Sequence, residues 1–237
     1  MSRALSIIEL LIANPQHELG ISQIARDLSI GKSTAHQLVS TLVAHGFLSQ
    51  SENSARYRLG TRLLEGGAVA AEHVGLGGAV TPFLEDLVRR VGETCSIGIM
   101  AAHEIVLIHR VEAKAVLRVD LKIGTRFPVH NSAIGRVMLG TMSDAARSQI
   151  LLNLDLSPSD GRAMDVALRE VERTGHSIVR DIPVSGINAI AVPIFGRNAD
   201  PIAGLVIAGP GFRFEPDDYA GAAAETAQLI STRLRSQ

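Results

Sequence analysis

The chain has 237 residues, 46% of them hydrophobic and 20% charged, with a formal net charge of −1: enough for a small module plus a larger one, with a soluble globular composition. No apolar run reaches the roughly 18 residues a membrane helix needs, and the first residues lack the apolar core and small-residue cleavage site of a secretory leader, so a cytoplasmic protein with no membrane partner is expected. The lone Cys95 excludes an internal disulfide and a structural zinc site, and 3% aromatics with no tryptophan disfavours single-strand binding on stacked rings.

In chain order, Leu5, Ile8, Leu11 and Ile12 recur at helical spacing and predict an amphipathic helix that stops at Asn14-Pro15. After Gly20, Ser22 is a candidate cap for a short helix with Ile24, Ala25 and Leu28 on its apolar side. Ser29-Ile30-Gly31 turns the chain, and a third helix follows Lys32, with Ser33 as candidate cap and Ala35, Leu38, Val39, Leu42 and Val43 facing inward until Gly46. Two short helices joined by a tight glycine-containing turn are the arrangement that lays a recognition helix in the major groove. The outer face of that helix reads Thr34, His36, Gln37, Ser40 and Thr41, hydrogen-bonding side chains without the Glu–Lys ladders of an ordinary solvated helix.

Phe47–Gln50 and Arg56–Leu59 read as the two strands of a hairpin, or wing. Alternation puts Tyr57 and Leu59 on the packed face and Arg56 and Arg58 on the other. The arginines are either solvated or contact phosphate, and the neighbouring helical pattern favours the second. Residues 1–62 hold six Lys/Arg against four Asp/Glu, a local charge of +2 supplemented by His17, His36 and His45, which is a light footprint for duplex DNA. The candidate DNA contacts are Ser22, Lys32, Ser33, Thr34, His36, Gln37, Ser40, Arg56 and Arg58.

Residues 61–78 are rich in Ala and Gly, and Leu63, Leu64 and Val69 predict a linker helix fading into Gly75, Gly77 and Gly78. The division expected is 1–60, 61–78 and 79–237. A helix from Val80 to Val91 carries Phe83, Leu84, Leu87, Val88 and Val91 on one side, and strands are predicted at 95–100, 105–111, 116–121, 177–180, 187–195 and 202–208. Helices are predicted at 133–141, 144–151, 165–174 and 217–234, and this mixed order makes the chain α+β.

The chain resembles the isocitrate-lyase-regulator (IclR) type of bacterial transcriptional regulators over nearly its whole length. The resemblance rests in the first part on Ala4-Leu5-x-Ile7-Ile8-x-Leu10-Leu11, Ile24-Ala25-x-x-Leu28, Gly31-Lys32-Ser33-Thr34-Ala35-His36, Gly46-Phe47-Leu48 and Tyr57-Arg58-Leu59-Gly60. In the second part it rests on Gly92-Glu93-Thr94, Gly124 to His130, Ser132-Ala133-Ile134-Gly135-Arg136, Gly186 to Phe195 and Gly209-Pro210. It implies a winged helix-turn-helix, a linker helix, and a GAF-like effector-binding domain whose mixed or antiparallel sheet is flanked by helices. It also implies a small-molecule effector, homodimers or homotetramers, and no cofactor. One departure falls on the recognition helix, where the family usually has Arg or Lys after the histidine and this chain has Gln37, an amide that suits adenine.

The resemblance places the effector pocket between the sheet and the helix that begins at Ser132, whose amino end suits a carboxylate, and the lining positions fall on Phe127, Ala133, Ile134, Val179, Ala189, Val206 and Ala208. All are apolar here, where acid-sensing members tend to place Cys, Ser and Asp. A buried serine without a partner costs about 1–3 kcal/mol, so an apolar or aromatic effector is expected; the alternative is the ordinary core of a closed pocket. Asn188, Arg180 and His130 are polar neighbours that either orient a ligand or serve structure alone.

Gly31-Lys32-Ser33 lacks the earlier glycine of a phosphate loop, which is Arg26 here, and Ser29-x-x-Lys32 lacks the companion signatures of a serine acylase. There is no His-Glu-x-x-His pair and no nucleophile elbow, and Cys95 between strand residues reads as a buried thiol, so neither metal nor catalysis is expected. The competing readings are an enzyme with a vestigial helical domain and a protein-binding adaptor. A dimeric regulator predicts a near-palindromic operator with half-sites about 10 base pairs, or a multiple, apart.

Overall fold

The computed structural model describes residues 2–14, 16, 18–73, 75–115, 121–154 and 156–236. Two compact units divide the chain at Gly77/Gly78.

The first unit opens with α1 (Ser2–Ala13), followed by β1 (Leu19–Gly20), α2 (Ile21–Asp27) and α3 (Lys32–Ala44). Its core gathers Ile7, Leu11, Ile24, Ala35, Val39 and Leu42 with Leu48 of the wing. The buried side of α1 differs from the one expected: Ile7 is fully buried, whereas Leu5 and Ile12 are 57% and 56% exposed. The helix is apolar around most of its circumference, so spacing alone does not select which stripe meets α3. The caps differ as well. Gly20 and Gly31, in extended conformation, are the N-cap residues of α2 and α3, and Ser22 and Ser33 lie inside the first turns. An extended glycine frees the first amides at little cost. Between α2 and α3 the backbone turns through Ser29 at φ +53°, held by the Ile30 amide donating to the Ala25 carbonyl at 2.9 Å.

The wing consists of β2 (Leu48–Gln50) and β3 (Arg56–Leu59), with β1 adding a third strand at Leu19↔Tyr57 in the order β1-β3-β2. Strand β1 is too short for alternation to announce it. The linker helix α4 (Thr61–His73) has no buried residue; Leu64 and Val69 are 75% and 70% exposed.

The second unit carries α5 (Thr81–Val91), β4 (Thr94–Ala101), β5 (Glu104–Val111), β6 (Arg126–Pro128), α6 (Ala133–Thr141), α7 (Asp144–Leu152), α8 (Pro158–Thr174), β7 (Ser177–Arg180), β8 (Ile187–Phe195), β9 (Pro201–Pro210) and α9 (Ala220–Arg235). Among the described residues, six strands form one antiparallel sheet, β6-β5-β4-β9-β8-β7. The expected strand at 116–121 falls almost wholly outside the described residues, and β6 was not expected. Helix α8 starts seven residues before the expected Asp165: Ser157 Oγ accepts the Asp160 amide at 3.2 Å, and Pro158 takes the first helical position, where its missing N–H costs nothing.

Alternation along β8 and β9 sorts the core. Ala189 and Ala191 join Ile134, Val137, Met138, Leu168 and Val171 under α6 and α8. Helices α5 and α9, tied by Arg90 to Glu225 at 2.7 Å, belong to the other side. Gly98 and Gly204 let α6 lie close on the sheet, because a Cβ there would come within 2.9 Å and 2.6 Å of Ile134 side-chain atoms.

Candidate nucleic-acid interface and ligand cavity

On α3 the inward stripe leaves Lys32, Ser33, His36, Gln37, Ser40 and Thr41 exposed and Thr34 half-buried. Ser22 is exposed on the first turn of α2. Three of the α3 side chains are already engaged: the Thr41 hydroxyl donates to the Gln37 carbonyl at 3.0 Å, and Ser40 Oγ lies 3.5 Å from His36 Nδ1. The side-chain amide of Gln37 has no hydrogen bond among the described residues, so both its donor and its acceptor are available. On the wing, Arg58 is exposed with Nε donating to Ser49 Oγ at 3.3 Å, while Arg56 is half-buried and donates to Gln16 Oε1 at 3.2 Å. Among the described residues no carboxylate pairs with Lys32, Arg56 or Arg58, which leaves three cations on a unit that carries few.

In the second unit a partly open cavity lies between the sheet and the amino end of α6. Phe127, Ala133, Ile134, Val179, Ala189, Val206 and Ala208 all line it. Their convergence follows from register: Val179↔Ala189 and Ala189↔Ala208 are direct cross-strand partners, with Val206 two residues along β9 on the same face. The segment before β8 contributes Ile182, Pro183 and Val184, with a cis Ile182–Pro183 bond. Ser132 is the N-cap of α6, its Oγ accepting the Gly135 amide at 3.0 Å, and Gly135 is required because a Cβ would fall 1.8 Å from the Val129 carbonyl oxygen.

Arg180 and Asn188 do not reach this cavity. They are cross-strand partners one residue beyond Val179 and before Ala189, and so face the other side of the sheet. There Arg180 pairs with Glu215 and, at 3.2 Å, with Asp217, and Asn188 Nδ2 donates to the Phe214 carbonyl at 3.1 Å. His130 is also absent from the lining; its Nδ1 is buried without a hydrogen-bond partner among the described residues, and its carbonyl accepts Arg136 Nε at 3.1 Å. Burial pulls the Arg136 guanidinium below its ordinary range.

Three polar residues at the cavity were not foreseen, Thr94 and Ser96 of β4 and Arg110 of β5, whereas the cap Ser132 stands at the helix start where the resemblance put the pocket. The signal lay in the alternation of β4, which sets Thr94 and Ser96 opposite in sense to Cys95 and Ile97. Cys95 is fully buried, with Sγ 3.6 Å from the Glu93 carbonyl oxygen; burial, then the nearby Glu93 charge, pushes its thiol up to about 12, far from a nucleophile's range. Burial also raises Glu93, against the pull of the Arg213 guanidinium that clasps both its oxygens. Among the described residues no cluster of His, Cys, Asp and Glu could hold a metal, and no helix is long and apolar enough to cross a membrane.

Comparison with known proteins identifies the family. The chain is 30% identical to the HTH-type transcriptional regulator XynR of Escherichia coli over 86% of its length and 83% of that protein, and 29% identical to the regulator KdgR of E. coli over 99% and 93%. Its fold is that of an IclR homologue from Microbacterium hydrocarbonoxydans solved in complex with 4-hydroxybenzoate, with a TM-score of 0.83, 23% identity and 99% coverage of each chain. Its relatives are transcriptional regulators rather than enzymes. Residues 1–52 match the IclR helix-turn-helix domain and residues 68–232 the C-terminal domain of bacterial IclR regulators, so the chain belongs to the IclR family of transcriptional regulators, with a DNA-binding helix-turn-helix followed by the family's C-terminal domain.

Proposed function

We propose that this regulator binds a near-palindromic duplex operator as a dimer or a pair of dimers, and that a small molecule with an apolar or aromatic body enters the cavity and shifts its affinity for DNA. Residues 1–60 act as the winged helix-turn-helix, 61–78 as the linker and 79–237 as the effector-binding domain. Gln37, with His36 and Ser40, reads base edges; Ser22, Lys32, Ser33, Thr34, Arg56 and Arg58 hold the phosphate backbone and set register.

The observation that carries the effector reading is the convergence of seven separately placed side chains, from Phe127 to Ala208, on one partly open cavity with apolar walls. The 4-hydroxybenzoate held by the Microbacterium relative is a small aromatic of the kind proposed. Dimerisation is supported by exposed apolar side chains: Leu5 and Ile12, seven residues apart on α1, and Leu64 and Val69 on α4.

Fluorescence anisotropy of the full chain on its own upstream DNA, as a salt titration against a scrambled duplex, tests the reading. Specific binding whose affinity falls steeply with salt is expected. Equal affinity for both duplexes, with and without effector candidates, overturns it. Coupling is reciprocal, so the operator must change effector affinity by the factor with which effector changes operator affinity.

A further inference from the structure

We infer that Gln16, in the segment between α1 and β1, is a positioning residue for DNA binding: its side-chain carbonyl aims the Arg56 guanidinium at the phosphate backbone without neutralising it. This rests on reading Arg56 as a phosphate contact.

The two wing arginines are held in different ways. Arg58 Nε donates to Ser49 Oγ at 3.3 Å, and Ser49 is its direct cross-strand partner, so that contact is made within the hairpin. Arg56 opens β3, and its register partner is Gly20 of β1, which has no side chain to offer. The orienting group comes instead from the segment after α1, where Gln16 Oε1 accepts Arg56 Nη1 at 3.2 Å.

Gln16 is itself placed. Asn14 Oδ1 accepts the Gln16 amide at 2.8 Å, and the Asn14 amide donates to the Leu10 carbonyl at 3.0 Å, which ties the segment to the last turn of α1. Two residues further on, Glu18 Oε1 accepts Ser51 Oγ at 2.6 Å, and β1 pairs with β3 at Leu19↔Tyr57. One short segment therefore grips the hairpin just after β2 and at the start of β3. Because α1 packs on α3, Arg56 is fixed relative to the recognition helix as well as to the wing.

The chemistry of the acceptor decides what this contact can do. An amide oxygen engages one N–H of the guanidinium and leaves its charge and its other donors for phosphate. A carboxylate at the same place would form an ion pair and compete with the DNA.

Fluorescence anisotropy of the full chain across a salt series, on its upstream DNA and on a scrambled duplex, tests this through a double-mutant cycle. The effects should be the same on both duplexes, since phosphate contacts carry no sequence information. Arg56→Ala should reduce the salt slope by about one. Gln16→Ala should weaken binding about threefold with the slope kept, and should have no further effect in the Arg56→Ala chain. In the Arg58→Ala chain it should cost as much as in the parent. Gln16→Glu, which keeps an acceptor but pairs the charge, should bind more weakly than Gln16→Ala and lose about one from the slope; if it binds like the parent, Gln16 serves the fold alone and the inference fails. No effect of Gln16→Ala, or an equal loss in the Arg56→Ala chain and the parent, overturns the assignment and leaves Arg56 a phosphate contact. An Arg56→Ala chain with affinity and slope unchanged takes Arg56 out of the interface, and the inference falls with that reading.

Discussion

The two units use opposite surfaces. In residues 1–77 a small core of Ile7, Leu11, Ile24, Val39 and Leu42 serves to hold polar side chains out in solvent, and α3 turns Lys32, Ser33, His36, Gln37 and Ser40 away from it. In residues 78–237 the core is larger and leaves a space inside it, walled by the small residues Ala133, Ala189 and Ala208. A partner with regular polar edges, such as duplex DNA, is met by donors and acceptors that lose water only on contact. The small molecule proposed for the second unit would be met by a preformed apolar space in which a few polar groups fix its orientation. The same comparison says where substitutions should be felt. Changes behind the first surface act through specificity and salt, and changes around the second act through stability and ligand affinity.

The largest contrast is expected inside the second unit, at Cys95, on the sheet face away from the cavity. With its thiol pushed up to about 12 against 9.0 for a free thiol, its thiolate fraction at pH 8 is lower by about a thousandfold. Iodoacetamide should therefore label the folded chain at least a hundred times more slowly than the chain in denaturant. The sign for stability follows: the unfolded thiol loses its proton above pH 9 while the folded one keeps it up to about 12, so stability falls as pH rises through that window. Labelling of the folded chain at the denatured rate would mean that this face is open.

Next comes the joint that sets the cavity's mouth. Gly135→Ala would place a Cβ 1.8 Å from the Val129 carbonyl oxygen, and since both atoms belong to backbone the amino end of α6 must shift. Urea unfolding should show a loss of about 3 kcal/mol or more in the second unit, with the transition of the first unit unmoved. A single unchanged transition would contradict the packing of α6. Ala208→Asp, by contrast, puts an unpaired carboxylate into the cavity, and should lower affinity for toluene by roughly 30-fold or more with operator binding retained. An unimpaired ligand response would remove Ala208 from the site.

In the first unit the effects are smaller and divide by kind. Arg58→Ala should weaken binding to every duplex and reduce the salt slope by about one, as the loss of one phosphate contact does. Gln37→Ala should cost about 1–3 kcal/mol on the preferred operator and flatten the preference at particular base pairs. Competition against duplexes with single base changes separates the two, and a Gln37 variant with unchanged preferences would end its assignment to a base.

Much of this was legible before any coordinates. Helices α3 and α6 and strands β7 and β8 lie where their apolar patterns put them: α3 and β7 have one buried face and one that is not, and α6 and β8 are nearly continuous apolar runs. Helix α1 was misjudged because it has apolar residues on nearly every side, and only packing against α3 chooses Ile7 over Leu5. The short β1 and β6 exist by pairing with β3 and β5, a tertiary fact without a local pattern. The seven apolar cavity positions could be placed by resemblance, but Thr94 and Ser96 read as unremarkable strand residues until the register set them opposite Arg110 and Val206. The make-up of that wall depends on which strands are neighbours, and the order β5-β4-β9 is not written in any one segment.

Arg180 is the position where the smallest effect carries information. It is adjacent in sequence to a cavity residue, Val179, yet its guanidinium is 49% exposed and pairs with Glu215 and Asp217, which are 57% and 64% exposed. Ion pairs so open to water contribute about 0–1 kcal/mol, and the side chain stands on the face of β7 that the cavity does not touch. Arg180→Ala should therefore change stability by no more than about 0.5 kcal/mol and leave toluene affinity where it was. A strong loss of ligand affinity would require Arg180 to face inward. In a strand that takes a shift of one residue, which would turn Val179, Ala189 and Ala208 away from one another and dismantle the cavity from which the effector reading begins.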